Sequence, residues 1–465
     1  MRYLLGWNGY YSRTIKSKTN PTGEKMKHYK LARGNSEINS TGGNHLCGLL
    51  LEAHAKQALP ENFQSRRRDA ISDRDIILSQ IGLLCNGRTD FNDIDLYRED
   101  ELFINAFGVK KVASESVFRQ RFDELPPIKT HAALRKLSMG LLSKRTFGTL
   151  EAEHLTLTPV DMDVSPLDNS GSSKAGVSYT YKGHDGYAPI FSYIGTEGHM
   201  LDCELRPGKQ HCQKGTPAFI RRNVEQLKEL GLDGQCLIRL DSGNDAAENF
   251  DEFGKNYFIV KRNLRKECRE QWLAMARRVG EKVESRDGKN IYVGFVEHRH
   301  PGNDEKRPAV SIAFEVIERL KDAEGFELRI PTVEVNTWWT NLPCQAETVI
   351  HLYHDHGTSE QFHSELKSDM DVERLPSGKL CVNKIILLCA MVAFNLLRSI
   401  GQEVLARAAL APQKIKVKRW RMKTILQNII YCAVRLVRHA GRIELHFGKR
   451  CPWFDVINDI ACATT

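Results

Sequence analysis

Residues 155–164 run LTLTPVDMDV. Short apolar segments of this kind, bounded by Ser165-Pro166, predict a core β-strand. A strand sends successive side chains to opposite faces, so Asp161 and Asp163 share one face. Most acids are solvated surface residues, and two on one face of a core strand are less common. Working outward, the texture changes at Leu155. Upstream, GLLLEAHAKQAL, RDIILSQIGLLC and ALRKLSMGLLSK place apolar residues at helical spacings of three and four. Downstream, GVSYTYKGH, YAPIFSYIG and HMLDCELRPG are β-type pieces split by Gly, Pro and Asp. An amphipathic stretch over 217–230 follows. Then come the strand CLIRLD, a helix over 245–253 and the strand YFIVKR. Strands followed by alternating helix and strand predict a mixed α/β core.

Five regions result. Residues 1–150 hold a polar basic arm and a helical region that is a candidate for DNA binding, and 151–264 the first part of the core. Residues 265–335 are charged and β-rich (NIYVGFVEH, VSIAFEVIE) and read as an inserted subdomain. Residues 336–411 complete the core, and 412–465 form a basic tail. From Pro412 to Trp453 that tail carries eleven Lys and Arg against one acid, Glu444. A solvated basic face explains this as well as a DNA-backbone surface does; Lys418, Arg419 and Arg421 are the candidate contacts. Ser114 ahead of VFRQRFDEL reads as a helix start carrying Arg119 and Arg121. It is either an ordinary surface helix or a helix-turn-helix reader.

The formal net charge of +9 suits a polyanionic partner. The N-terminus lacks the pattern of an export signal, and the apolar run 385–397 is interrupted by Asn395 and too short to span a bilayer. A cytoplasmic location, reduced thiols for the twelve cysteines and no membrane partner are therefore expected. No Cys-x-x-Cys pair points to structural zinc.

Asp241 ends the strand CLIRLD and enters the turn Ser242-Gly243-Asn244. Open α/β sheets place ligands at the carboxyl ends of strands, but turn-forming aspartates are common too. In YHDHGTSEQFHSELKSD (353–369), Tyr353, His356, Glu360, His363 and Lys367 fall within about 80° of one another on a helical wheel, and Glu365 points elsewhere. An acid beside a cation and a phenol suits metal and phosphate; Gly357 and Thr358 weaken the helix locally. His351, His354, His356 and His363 leave zinc as an alternative, without the paired-histidine helix motif.

The Tyr353–His356–Glu360–Lys367 run resembles the Tyr-x2-Arg-x3-Glu-x6-Lys signature of bacterial insertion-sequence transposases. With DMDVSP, YKGHDGYAPI, LRPGKQHCQKGTP, RLDSGND, YFIVKRNLRKE, WWTNLP and the AFNLLR helix, residues 60–410 resemble the insertion-sequence family numbered 1380. The resemblance implies a ribonuclease-H-like (RNase-H-like) α/β core with a β-rich insertion between the second and third acids. Carried over by motif, Asp163, Asp241 and Glu360 are the catalytic acids and hold two Mg²⁺ ions, with Mn²⁺ as a substitute. Asp161 is a second candidate ligand. Tyr353, His356 and Lys367 would contact DNA phosphate, with His356 standing where the family has arginine. That change removes a permanent bidentate clamp. The implied activity is cut-and-paste transposition: hydrolysis at terminal inverted repeats, then strand transfer into target DNA by at least a homodimer. A catalytically inactive DNA-binding relative and a different metal nuclease on the same core are the rivals.

Overall fold

The computed structural model describes residues 37–63, 71–322 and 324–464. The arm expected at the N-terminus lies outside them as far as residue 36. Residues from Ile38 onward form one unit.

A short strand β1 (Ile38–Asn39) leads into five helices: α1 (Asn44–Ala58), α2 (Asp73–Cys85), α3 (Glu101–Phe107), α4 (Glu115–Glu124) and α5 (Pro127–Leu142). Helix α2 starts cleanly because the Ser72 hydroxyl accepts the Asp75 N–H at 3.0 Å. Twelve of its thirteen residues are buried, which fits a run apolar on every side. Helix α4 begins after Ser114 as expected, but Ser114 makes no side-chain cap. The helix packs Phe118 and Phe122 on Phe91.

The core follows. It comprises β2 (Leu150–Ala152), β3 (Leu155–Val164), β4 (Leu167–Asp168), β5 (Ser178–Tyr179), β6 (Asp185–Tyr187), β7 (Ile190–Ile194), β8 (His199–Glu204), α6 (Thr216–Glu229), β9 (Cys236–Leu240) and β10 (Tyr257–Lys261). Residues 245–253, expected as a helix, form only short 3-10 turns. Next come α7 (Arg269–Val279), β11 (Glu281–Arg286), β12 (Lys289–Arg299), β13 (Val310–Lys321) and β14 (Glu327–Thr340). The main sheet runs β8-β7-β3-β9-β10-β14-β13-β12-β11, with β2 beside β3. Strand β3 is parallel to β9 and antiparallel to β7, and β10 is parallel to β9. The charged stretch over 265–335 is largely β-strand. Its strands extend the core sheet, because β14 pairs with β10 along Ile259↔Thr340. Helix α7, which its charge conceals in the sequence, packs on this extension through Leu273 and Ala276.

Strand alternation sorts the central strands into two faces. Val160, Met162 and Val164 of β3 pack with Ile238 and Leu240 of β9 under Phe219 and Leu227 of α6. Leu157 and Leu237 face the other way, toward Val349 and Leu352 of helix α8 (Ala346–His354). Helix α8 continues through a 3-10 turn into α9 (Thr358–Ser364) and a π-helical turn, Glu365–Asp369. The helix expected along the 353–367 stripe is thus present, broken where Gly357 weakens it. Gly198 closes the β7–β8 turn at φ +72°, and a Cβ there would strike the Phe362 ring at 2.2 Å.

Helix α10 (Leu380–Ala406) is apolar and 27 residues long; 83% of its most apolar stretch is buried inside the protein. It packs against α2, α5 and β8. Asn395, the polar break in its sequence, covers the sheet edge. Its Oδ1 accepts the Met200 N–H at 2.8 Å and its Nδ2 donates to the Met200 carbonyl at 2.8 Å, as a neighbouring strand would. The expected basic tail is a folded part of the same core. It forms α11 (Met422–Ile425), the hairpin β15 (Val434–His439) with β16 (Arg442–Phe447), and α12 (Phe454–Thr464). Strand β15 pairs with β1. Apolar residues such as Ile425, Ile429 and Ile457 join the same cluster as the N-terminal helices.

Two outcomes follow from this packing. Asn395→Leu keeps the volume but strands two buried backbone groups, so stability in urea should fall by roughly 1–3 kcal/mol; an unchanged midpoint would mean the edge needs no cover. His199 lies beside Asn395, and burial, aided by the Arg398 and Arg145 charges, lowers its pKa to about 3. It stays neutral in the folded chain, while the unfolded chain takes up a proton below the ordinary value of 6.5. This contribution is complete above pH 6.5 and is lost as pH falls toward 3. His199→Phe should flatten the stability profile across that window.

Candidate active site

The site starts from one register. In the parallel pair β3–β9, Asp161 stands opposite Arg239 and Met162 opposite Leu240. Partners across a sheet share a face, so one pleat further on Asp163 and Asp241 emerge side by side, on strands about 4.8 Å apart. Helix α8 and its continuation cross this face, and they complete the site.

Asp161 and Arg239 form its floor. Arg239 Nε and Nη2 reach the two Asp161 oxygens at 2.6 and 2.8 Å, and Nη1 donates to the Leu352 carbonyl at 2.5 Å. His356 Nδ1 lies 2.8 Å from Asp161 Oδ1. Burial alone would raise the Asp161 carboxyl; the Arg239 and His356 charges outweigh it and hold it at about 2. An ionised carboxylate only accepts, so His356 Nδ1 carries the hydrogen it shares. This corrects two expectations. His356 is buried and bound to Asp161, so it does not stand as an exposed phosphate contact. Asp161 has both oxygens engaged by Arg239 and His356, so it is a structural anion and not a free metal ligand.

Asp163 and Asp241 are different. His363 Nε2 lies 3.4 Å from Asp163 Oδ2, and the Val164 N–H donates to Oδ1 at 2.7 Å. Burial pushes the Asp163 carboxyl up, but His363, His356 and the Val164 N–H together hold it below the ordinary value. Burial also lowers the pKa of His363. Its Nδ1 lies 3.2 Å from the Tyr193 hydroxyl. A neutral ring with its hydrogen on Nε2 satisfies both neighbours: Tyr193 donates to Nδ1 and Nε2 faces the carboxylate. Asp241 accepts from Asn244 Nδ2 at 2.6 Å. Burial and then the Asp163 charge raise its pKa. Neither carboxylate is paired with lysine or arginine among the described residues. Two adjacent, partly buried acids without a lysine or arginine partner form a site that fits a cation.

The remaining residues of the stripe stand around that pair. Burial, followed by the charges of Asp241, Asp163 and Asp161, raises the Tyr353 phenol. Lys367 Nζ donates to the Pro166 carbonyl at 2.6 Å, just beyond β3. Burial lowers its pKa. Glu360 lies on the same helix between His356 and His363, and its side chain is exposed. Among the described residues, no three His, Cys, Asp or Glu side chains gather closely enough to hold a metal ion. The structure therefore brings Asp163 and Asp241 together and leaves Glu360 on the helix above them, outside a closed three-acid cluster. His351 and His354 are likewise exposed and build no zinc centre.

Four of the arginines expected on DNA have protein partners. Arg121 is buried against Asp73, so it is not a surface contact. Arg119 pairs with Glu115 and lies over Phe91. Arg419 pairs with buried Glu365 and lies over Phe362. Arg421 is half exposed and binds Asp369 at 3.1 Å. Lys418 is exposed. The sequence reading missed Arg239 as an organising residue, although it precedes Asp241 by the same two positions that separate Asp161 from Asp163. His363 lies on the stripe, where the sequence suggests only a zinc ligand and not a neighbour of Asp163.

A family model described as transposase DDE domain, group 1, matches residues 35–463. No curated protein sequence matches the chain. Among solved structures, the cryo-EM structure of the piggyBac transposase synaptic complex with hairpin DNA (SNHP) is similar over 84% of this chain and 79% of that one, with 12% identity and a TM-score of 0.41.

Removing Arg239 leaves Asp161 buried with half its partners. Arg239→Met should cost on the order of 3–5 kcal/mol in chemical denaturation. Arg239→Lys should recover little of it, since an ammonium cannot span both oxygens and the Leu352 carbonyl at once. Full recovery by lysine would show that charge alone matters there.

Proposed function

Starting from the fact that this chain belongs to the DDE-domain transposases of group 1, we propose that it catalyses metal-dependent cut-and-paste transposition of an insertion sequence at the Asp163–Asp241 pair. The observation that carries this reading is the juxtaposition of two partly buried carboxylates, neither paired with lysine or arginine among the described residues, at the carboxyl ends of neighbouring parallel strands. The strand order β8-β7-β3-β9-β10, with β7 alone antiparallel among these five, supports an RNase-H-like core. The source of the element in the insertion-sequence family numbered 1380, and a cytoplasmic site of action on bacterial DNA, belong to the same proposal.

Asp163 and Asp241 would hold the divalent ions, with Glu360 as the third acid, brought in from the helix above when DNA is bound. Two Mg²⁺ ions, when bound, stabilise charge on the attacking and leaving oxygens of a phosphodiester. The chain itself positions the reactants. Tyr353 keeps its phenolic hydrogen beside the acids and can donate it to a phosphate oxygen. Lys367 offers a cation at the end of β3. The buried Asp161–Arg239–His356 network holds helix and strands in register. In the first step a water oxygen bonds to phosphorus and the 3′ oxygen leaves with a proton. In the second, that 3′-hydroxyl loses its proton and attacks a target phosphodiester in line, and the target's own 3′ oxygen leaves with a proton. Two element ends must be held at once, which calls for at least a homodimer on double-stranded DNA. Lys418 is exposed, and each phosphate neutralised should add about 0.9 to the salt slope of duplex binding.

The test is strand cleavage on a linear fragment bearing the element end, with Mg²⁺ or Mn²⁺. Asp241→Asn and Glu360→Gln should each abolish cleavage and leave end binding nearly intact. Wild-type rates for Glu360→Gln would move the third acid elsewhere; wild-type rates for Asp241→Asn would remove the site.

A further inference from the structure

The motif YTYKGHDGY (179–187) has no part in the chemistry above. It forms the β5–β6 hairpin, whose tip is closely tied. Gly183 N–H donates to the Thr180 carbonyl at 3.1 Å, and Thr180 N–H donates to the His184 carbonyl at 2.9 Å. The Thr180 hydroxyl donates to that same carbonyl at 2.9 Å and is buried. Gly183 takes φ +84°, which a residue with a Cβ adopts at a cost. Tyr181 and Lys182 are left as the two corner residues of a β-turn.

The placement of Tyr181 is unusual for a surface aromatic. Its hydroxyl donates to the Val164 carbonyl at 2.7 Å, one residue from Asp163, yet the residue is 68% exposed. The phenol is anchored at its tip and open along its ring. Partial burial and then the Asp163 and Asp241 charges raise the pKa of this hydroxyl, in keeping with its contact to the Val164 carbonyl. Lys182 is exposed, and its charge is felt by Lys367. A fixed aromatic face and the Lys182 cation, both on the β5–β6 hairpin, thus stand near the Asp163 end of β3, and Lys367 joins them from the helix.

We propose that Tyr181 is a stacking platform for an unpaired base next to the reacting phosphate, and that Lys182 holds a neighbouring phosphate of the same strand. The inference rests on the transposase reading of the site. The chemistry is that of single-strand recognition: a π-face accepts any base, and a cation tracks the backbone. A base inside a duplex cannot reach such a face, so the platform requires a strand that is open at the cut.

The test uses the full-length protein and a short duplex with a single-stranded 3′ overhang carrying 2-aminopurine. Stacking on Tyr181 should quench its fluorescence. Tyr181→Phe keeps the ring and should keep the quench. Tyr181→Ala should lose it and weaken overhang binding by roughly 5- to 150-fold, the equivalent of about 1–3 kcal/mol per stacked base, with blunt-duplex binding unchanged. Tyr181→Leu serves the same purpose if the alanine variant does not fold. Lys182→Ala should lower the salt slope of overhang binding by about 0.7. A wild-type quench in Tyr181→Ala overturns the proposal. So does a loss in Tyr181→Phe equal to that in alanine, since the hydroxyl tie alone would then matter. Asp241→Asn should still quench. Quenching without any cleavage by the wild type would count against the transposase reading alone, and cleavage without quenching against the platform alone.

Discussion

Everything at the site depends on the buried contact between Asp161 and Arg239. Two charges removed from water are costly unless each finds close, complementary partners. Here the guanidinium meets both carboxylate oxygens and still has a nitrogen for the Leu352 carbonyl, while His356 takes the remaining direction on Asp161. The arrangement joins β3, β9 and the end of α8, three elements far apart in sequence. It also fixes the register that brings Asp163 and Asp241 out together.

A second buried anion secures the other side of the same helix. Glu365 accepts from Arg398 of α10 at 2.7 Å, from Arg419 and from the Met422 N–H at 3.2 Å. The helix bearing Glu360 is therefore held between two charge networks, one on the sheet and one on the C-terminal segment. Its π-helical turn, Glu365–Asp369, lies where the second network attaches. Such turns re-aim side chains within a helix and cluster at functional sites. The C-terminal segment serves the site by fixing this helix, and its basic residues are partly used in doing so.

The contrast between the aspartates shows how environment divides one residue type into two roles. Asp161 has its charge fully compensated and stays ionised. Asp241 faces Asp163 with an amide and backbone N–H groups for support, and burial and the Asp163 charge make its own charge costly. The electrostatic strain sits where chemistry on a polyanion would use it, and the compensated charge sits where rigidity is needed.

By itself, the sequence determined the local periodicities and everything that follows from them. It determined the strand status of 155–164 and 236–240, the shared face of Asp161 and Asp163, and the helical stripe from Tyr353 to Lys367 that excludes Glu365. These are short-range facts, set by the two-residue and 3.6-residue repeats of the backbone. Only the tertiary structure decided that β3 and β9 are neighbours, that residues 265–335 extend the sheet, and that the C-terminal residues fold against the N-terminal helices. It alone turned His356, Arg121 and Arg419 inward while leaving Glu360 exposed. A charged residue looks the same in sequence whether it meets water or a buried partner. The choice belongs to the packing of distant elements, because a buried charge is stable only where the fold supplies its counter-charge.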